Sequence, residues 1–181
     1  MSRSEWTLGI LWVVATTIGW VVGFFVCETL KAFFESLSHS DGLVIGFFVG
    51  LTQWLVLRGR LNHTGWWILL STIGFGVGKA MGASIADAVP GAVGLALDGA
   101  VIGGLLGILQ WLVLRRQVAV AGRWVAASAL AWAGGWSIIS IIGEGASGPT
   151  GMAYLVGAVG ASAAGVITAA SVVWLLRRPY A

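Results

Sequence analysis

Six long apolar stretches restrict the environments in which this chain can fold. At about 1.5 Å per residue, each can cross most or all of about 30 Å of hydrocarbon. They are Trp6–Thr29, Gly42–Leu57, Trp66–Ala86, Gly99–Leu114, Trp124–Ile142 and Met152–Leu176. Since 58% of the 181 residues are hydrophobic and only 9% are charged, a soluble domain of this size has too little interior to hide them. Backbone groups in hydrocarbon need partners within their own segment. We therefore predict an all-α, polytopic protein, with residues 1–181 in one membrane domain.

The charged residues separate into two sets that predict the orientation of these segments. Eight arginines and one glutamate lie at the termini and in two of the turns: Arg3, Arg58, Arg60, Arg115, Arg116, Arg123, Arg177 and Arg178, with Glu5. Six acidic residues and one lysine lie towards the other ends: Glu28, Glu35, Asp41, Asp87, Asp98 and Glu144, with Lys31. By the positive-inside rule, both termini are expected in the cytoplasm, with the protein in a bacterial inner or thylakoid membrane. With 10 basic and 7 acidic residues, the chain has no basic surface suited to nucleic acid. Nucleic acid is therefore excluded as a partner.

Tryptophan residues support the same orientation. Seven lie near the expected cytoplasmic helix ends and are interpreted as an interfacial belt: Trp6, Trp54, Trp66, Trp67, Trp111, Trp124 and Trp174. Trp20, Trp132 and Trp136 lie deeper and are expected to fill gaps between helices.

A helical hairpin recurs along the chain. The segment from Asp41 to Arg58, which ends Gln-Trp-Leu-Val-Leu-Arg, recurs 57 residues later from Asp98 to Arg115. A third copy has diverged, with Val173 aligned to the glutamine. The outgoing helices also align, with Trp12 matching Trp67 and Trp124. The sequence thus predicts six transmembrane helices as three tandem parallel hairpin repeats, approximately 6–60, 61–117 and 118–178, in a ring or in a row.

Glycines at four-residue spacing predict how these helices pack. Lipid tails are as apolar as leucine, so membrane helices associate through close contact at small residues. The stripes expected at helix contacts are Gly42, Gly46 and Gly50, then Gly74, Gly78 and Gly82, then Gly99, Gly103 and Gly107.

Five polar residues are the candidate functional positions. Lys79 is the ionisable residue well inside a predicted span, and it either snorkels or pairs structurally, or contacts an ion or solute. Asp41 and Asp98 are expected to cap the returning helices. Gln53 and Gln110 are expected at close helix crossings, where they either bond a neighbouring helix or line a polar path. Both histidines fall in predicted loops on opposite sides, so no metal site and no cofactor is expected.

The repeated Gln-Trp-Leu-Val-Leu-Arg ends resemble those of small multi-pass membrane proteins of cyanobacteria and other bacteria. The resemblance covers the returning helix of the first two hairpins well and that of the third poorly. It implies no activity and no functional residue.

The sequence favours a non-enzymatic integral membrane protein. Its loops are too short for a soluble catalytic domain, and few polar groups are buried, which suggests an accessory or assembly subunit or a lipid-binding element. The lipid bilayer is the expected partner, with a membrane-protein complex or a homo-oligomer as further options. The alternative is a small channel or carrier for a neutral or anionic solute, using Lys79 and the Gln53/Gln110 pair.

Overall fold

The structure of this chain is a computed structural model that describes residues 2–34, 41–89, 91–143 and 150–178. Glu35 and Glu144 of the acidic set, and His39, one of the two histidines, lie outside these ranges. The described residues form six α-helices: α1 (Arg3–Phe33), α2 (Asp41–Leu57), α3 (Gly65–Ala88), α4 (Ala92–Leu114), α5 (Arg123–Gly143) and α6 (Thr150–Leu176). Five of them are long and apolar enough to cross a membrane, whereas α2, with 17 residues, is shorter.

The helices form a closed ring. Each packs against the next helix in the sequence, and α1 packs against α6. Neighbours are antiparallel, because Gly42 of α2 lies against Gly76 of α3 whereas Gly50 lies against Ile68. The ring therefore has a terminal face, where α1 begins and α6 ends, and a distal face at the opposite end. Both choices left open by the sequence, a row or a ring, place sequential helices side by side, and the α1–α6 contact distinguishes them.

Glycines lie at the α2–α3, α3–α4 and α4–α5 interfaces. Gly42, Gly46 and Gly50 face α3, Gly74, Gly78 and Gly82 face α4, and Gly99, Gly103 and Gly107 face α5. A Cβ added to any of these nine residues would come within 3.0 Å of an atom of the neighbouring helix. The helices therefore approach closely at the positions where the sequence has its glycine stripes.

The start of α4 differs from the sequence prediction. Asp98 was expected to cap this helix, but α4 begins at Ala92, and Asp98 lies in its second turn with a side chain only 1% exposed. Gly91 precedes the helix with a φ of 80°, a left-handed conformation that glycine adopts without strain. The apolar residues after Gly91 then continue the helix outward. Asp41, in contrast, lies in the first turn of α2.

Candidate functional site

Three tryptophans close the centre of the ring towards the terminal face. Trp12, Trp67 and Trp124 come from α1, α3 and α5 and are at most 1% exposed. Their ring centroids lie 5.8 to 6.0 Å apart in all three pairings. The interfacial belt predicted for Trp67 and Trp124 is therefore wrong, because both indoles point to the ring axis instead of the outer surface. Trp6 and Trp66, which are about 60% exposed, do lie on the outside.

A hydrogen-bond network surrounds these indoles. Trp67 Nε1 donates to Gln53 Oε1 at 3.1 Å, and Trp124 Nε1 donates to Gln110 Oε1 at 2.9 Å. Gln53 Nε2 in turn donates to Thr16 Oγ1 at 3.1 Å. Each of the two glutamines thus joins its own helix to the tryptophan of the next helix in the chain.

The second glutamine repeats this pattern and also approaches the first. Gln110 Nε2 donates to Ser71 Oγ at 2.9 Å and lies 3.4 Å from Gln53 Oε1. Both glutamine side chains are at most 3% exposed. The structure therefore brings the predicted pair together, but their amide groups are occupied by protein partners and line no open path.

Helix α6 completes this arrangement with a shorter residue. Trp12 Nε1 donates to Thr168 Oγ1 at 3.0 Å. Thr168 follows Gly165 by three residues, as Gln53 follows Gly50 and Gln110 follows Gly107, and each of these glycines faces the next helix around the ring. The sequence alignment placed Val173 opposite the glutamines, but the structure places Thr168 there. Matching the final Trp and Arg hid this position, whereas matching the glycines reveals it.

An axial cavity of about 430 Å³ lies between the tryptophan cluster and the distal face. Residues of five helices contribute to its wall, which places it inside the ring. Most of the wall is aromatic or aliphatic, including Trp20, Phe24, Phe75, Trp136 and Ile139. This volume lies within the range of about 300–1,000 Å³ that is usual for small-molecule sites.

Lys79 provides a positive charge to the cavity wall. Its Nζ lies 3.1 Å from Asp98 Oδ2 and 5.0 Å from the centroid of the Trp136 ring. The lysine side chain is 38% exposed, whereas the Asp98 side chain is 1% exposed. A molecule entering the cavity therefore meets the ammonium group, while the carboxylate lies behind it.

Asp41, the second acidic candidate, is held near the cavity by another ion pair. Its Oδ2 lies 2.7 Å from Lys31 Nζ, which also lies 3.0 Å from Glu28 Oε1. Asp41 lines the cavity together with Lys79, so the structure brings the two residues to one site. Three buried polar atoms in this region have no hydrogen-bond partner among the described residues: Asp41 Oδ1, Asp98 Oδ1 and Trp136 Nε1.

The five candidate residues therefore divide between two levels of the ring. Lys79, Asp41 and Asp98 belong to the distal cavity, while Gln53 and Gln110 belong to the network around the tryptophans. Lys79 lies eight residues from Ser71 along α3, about 12 Å along the axis. The tryptophan cluster was not predicted as a feature of the site, although the matching positions of Trp12, Trp67 and Trp124 are visible in the sequence.

Comparison with models of protein families, with curated proteins and with solved structures finds no match to this chain.

Proposed function

We propose that this chain is a non-enzymatic integral membrane protein that holds one small molecule in its axial cavity. The molecule would have an apolar body and a group that accepts hydrogen bonds, either neutral or anionic. The observation that carries the proposal is the partly exposed side chain of Lys79 in a cavity whose wall, apart from Asp41, is largely apolar and aromatic. Of the roles considered from the sequence, this corresponds most closely to a lipid-binding element.

The proposed topology has six crossings arranged as three tandem hairpins. Trp12, Trp67 and Trp124, which align in the sequence, meet on one axis, and this supports a threefold arrangement of the repeats. With 17 residues, α2 would span about 26 Å, and a modest local thinning of the bilayer accommodates such a helix.

The proposed orientation places the terminal face in the cytoplasm of a bacterial inner or thylakoid membrane. Support comes from the arginines of that face, of which Arg58, Arg115 and Arg178 each lie over a nearby tryptophan ring. The cavity then opens towards the non-cytoplasmic side. A reporter that is active only in the cytoplasm should be active when it is fused after residue 181. An inactive fusion would indicate the opposite orientation.

The tryptophan cluster closes one end of the cavity, and this favours binding of a ligand over conduction. The three tryptophans of the cluster and their hydrogen bonds fill the axis between the cavity and the terminal face, so the described residues leave no continuous path along it. A carrier remains the second candidate because a cavity closed at one end is also what one state of an alternating-access carrier presents. Saturable flux of the cavity ligand into liposomes would favour the carrier.

The test compares two tryptophan substitutions on α5. Ile139→Trp fills the cavity, whereas Leu130→Trp adds the same bulk on the outer surface, where Leu130 is 68% exposed. The probe is naphthalene-2-carboxylate, with 2-naphthol and the 2-naphthylmethylammonium cation for comparison, in equilibrium dialysis against protein in nanodiscs. We expect saturable binding of the anion and the neutral probe, weaker binding of the cation, and loss of binding in Ile139→Trp alone. Absence of saturable binding, or equal binding by both variants, would contradict the proposal.

A partner subunit or homo-oligomer is a separate proposal that the apolar outer surface of the ring supports. Native electrophoresis after extraction in mild detergent tests it. A protein that migrates alone at the mass of one chain would count against both.

A further inference from the structure

We infer that the terminal face carries a binding site for a phosphate group, between Arg60 and Arg116. This site is separate from the axial cavity and does not depend on the function proposed for it. It lies on the other side of the tryptophan cluster, where the turn after α2 approaches the turn after α4.

Most arginines of the terminal face already have a partner. Arg58 lies over the Trp54 ring at 5.7 Å, and Arg115 lies over the Trp111 ring at 5.1 Å. The remaining pairs are Arg123 and Arg178, both over the Trp174 ring, and Arg177, which makes two 2.7 Å hydrogen bonds to Glu5.

Arg60 and Arg116 differ from these residues. Within the described ranges, neither has an ion-pair or aromatic partner, and the guanidinium of Arg60 makes one hydrogen bond, to the carbonyl of Val56 at 3.1 Å. Both arginines line the same basin of about 330 Å³. Two arginines in the lining of one basin, with no carboxylate among the described residues of its wall, favour a ligand with at least one negative charge.

The basin is also held in a fixed shape. Gln117 joins the two turns through the backbone of Asn62. Its Oε1 accepts from the backbone N–H of Asn62 at 2.6 Å, and its Nε2 donates to the backbone carbonyl of Asn62 at 2.9 Å. Its apolar wall consists of Leu61, Val118 and Leu176, spaced 57 and 58 residues apart, from three different parts of the ring. The arginines are therefore attached to turns whose separation is fixed by hydrogen bonds.

Phosphate is the anion that this arrangement suits best. A guanidinium group presents parallel N–H donors that match two oxygens of one phosphate, and two such groups can share its charge. A neighbouring basin of about 310 Å³ shares Arg60 and Leu176, but Glu5 also lines it and pairs with Arg177 there, so the anion is assigned to the first basin. The phosphate can belong to a soluble compound or to the headgroup of an anionic phospholipid.

The experiment compares two double variants that remove the same charge. Arg60→Gln/Arg116→Gln alters the basin, and Arg58→Gln/Arg115→Gln removes the two arginines that lie over tryptophan rings. Each protein is placed in nanodiscs of phosphatidylcholine, and binding of inorganic pyrophosphate is measured by equilibrium dialysis at fixed salt. A second set of nanodiscs contains phosphatidylglycerol, and the phospholipid retained by each protein is counted by native mass spectrometry.

We expect the basin variant to lose at least about tenfold in affinity, in line with the loss of two charge-assisted contacts, and the control to change by less than about twofold. Loss in the pyrophosphate assay identifies a soluble ligand, whereas loss of retained phosphatidylglycerol identifies a lipid headgroup. Arg60→Lys/Arg116→Lys keeps the charge and should still lose part of the affinity, because lysine lacks the bidentate fork. Equal losses in basin variant and control, or binding of neither probe by the native protein, would overturn the inference. Thermal unfolding of each variant verifies that the ring is intact.

Discussion

At the scale of single residues, the pair formed by Lys79 and Asp98 is asymmetric. The Lys79 side chain is 38% exposed and can move its ammonium group towards the distal face, whereas the Asp98 side chain is buried. One oxygen of that carboxylate already has no partner among the described residues. Lys79 therefore compensates the buried negative charge of Asp98. Close packing of helices at glycines does not by itself require such an ion pair.

This asymmetry predicts unequal effects of removing each partner. Lys79→Met should destabilise the protein by about 3–5 kcal/mol, because it leaves an unpaired buried carboxylate. Asp98→Asn should cost less, because the remaining ammonium can reach solvent, and Lys79→Met/Asp98→Asn should recover most of the loss. Unfolding in mixed micelles with increasing denaturing detergent measures the three values. A double variant as unstable as Lys79→Met alone would contradict this account.

The network around the central tryptophans also contains one unmatched residue. Thr16, Ser71 and Ser128 stand four residues after the three tryptophans, and the first two accept a hydrogen bond from a glutamine. Ser128 Oγ is buried without a partner among the described residues, because Thr168 is too short to provide the missing amide.

Two alanine substitutions test this difference. Ser71→Ala should cost about 1–2 kcal/mol, because Gln110 Nε2 loses its shorter hydrogen bond in a buried site. Ser128→Ala removes the same hydroxyl from a position where it bonds nothing in the structure, and it should be neutral or slightly stabilising. Thermal stability in detergent compares the two, and a larger loss for Ser128→Ala would refute the assignment of the unmatched position.

At the scale of elements, small residues decide how closely neighbouring helices approach. Gly103 and Gly104 are consecutive in α4, but they face different surroundings. A Cβ on Gly103 would meet the Ser128 carbonyl and lie 2.9 Å from Trp132 Cβ, whereas a Cβ on Gly104 would find no atom within 4 Å.

Alanine at these two positions should therefore have opposite effects. Gly103→Ala should destabilise by about 1–3 kcal/mol, because α5 must move away from α4. Gly104→Ala should stabilise by about 0.5–1 kcal/mol, because alanine favours the helix and meets no neighbour there. Unfolding in mixed micelles measures both, and a similar sign for the two substitutions would show that this interface is not set by glycine contact.

The beginning of α4 shows why a helix boundary affected the interpretation of a charge. With the helix predicted from Gly99, Asp98 read as a capping residue near the membrane surface. Because α4 begins at Ala92, the same carboxylate is inside the bundle and pairs with Lys79. The apolar residues between Gly91 and Asp98 were the signal that could have extended this helix.

At the scale of the whole molecule, the contact between α1 and α6 closes the series of six described helices into a ring. Thr17 Oγ1 and Ser162 Oγ lie 2.9 Å apart across this interface, and the Trp12–Thr168 hydrogen bond crosses it nearer the terminal face. Closure adds α6 to the cavity wall, to which this helix contributes Ala153, Val156 and Gly157.

A disulfide across this contact tests the closure. With Cys27 replaced by alanine, Thr17→Cys/Ser162→Cys should form an intramolecular disulfide under mild oxidation, because the two hydroxyl groups already touch. Thr17→Cys/Ser171→Cys should not, since Ser171 lies nine residues further along α6, about 13 Å away along the helix. Gel mobility after cleavage at a protease site inserted in the turn between α3 and α4 distinguishes them. Absence of cross-linking in the first pair, or equal cross-linking in both, would favour a row.

The all-α class and most of the helices follow from patterns that are visible in the amino-acid sequence. Apolar length predicted helices that are long enough for a membrane, and the structure has five such helices and one shorter one. The glycine spacing identified nine positions that lie at helix contacts, because a four-residue period fixes which side chains share a helix face. The same period could not say which neighbouring helix each face would meet.

The way in which the polar residues combine is a property of the tertiary structure. Lys79 lies away from the glutamines because it is eight residues beyond Ser71, the partner of Gln110, along α3. The closing of the ring brings Trp12 to Thr168 across 156 positions of the chain, and the packing of α2 on α3 brings Gln53 to Trp67. These pairings depend on which helices become neighbours, and that is fixed by contacts between segments distant in the chain. The buried ion pair follows from the same cause, since α4 places Asp98 beside Lys79 only after both helices have packed.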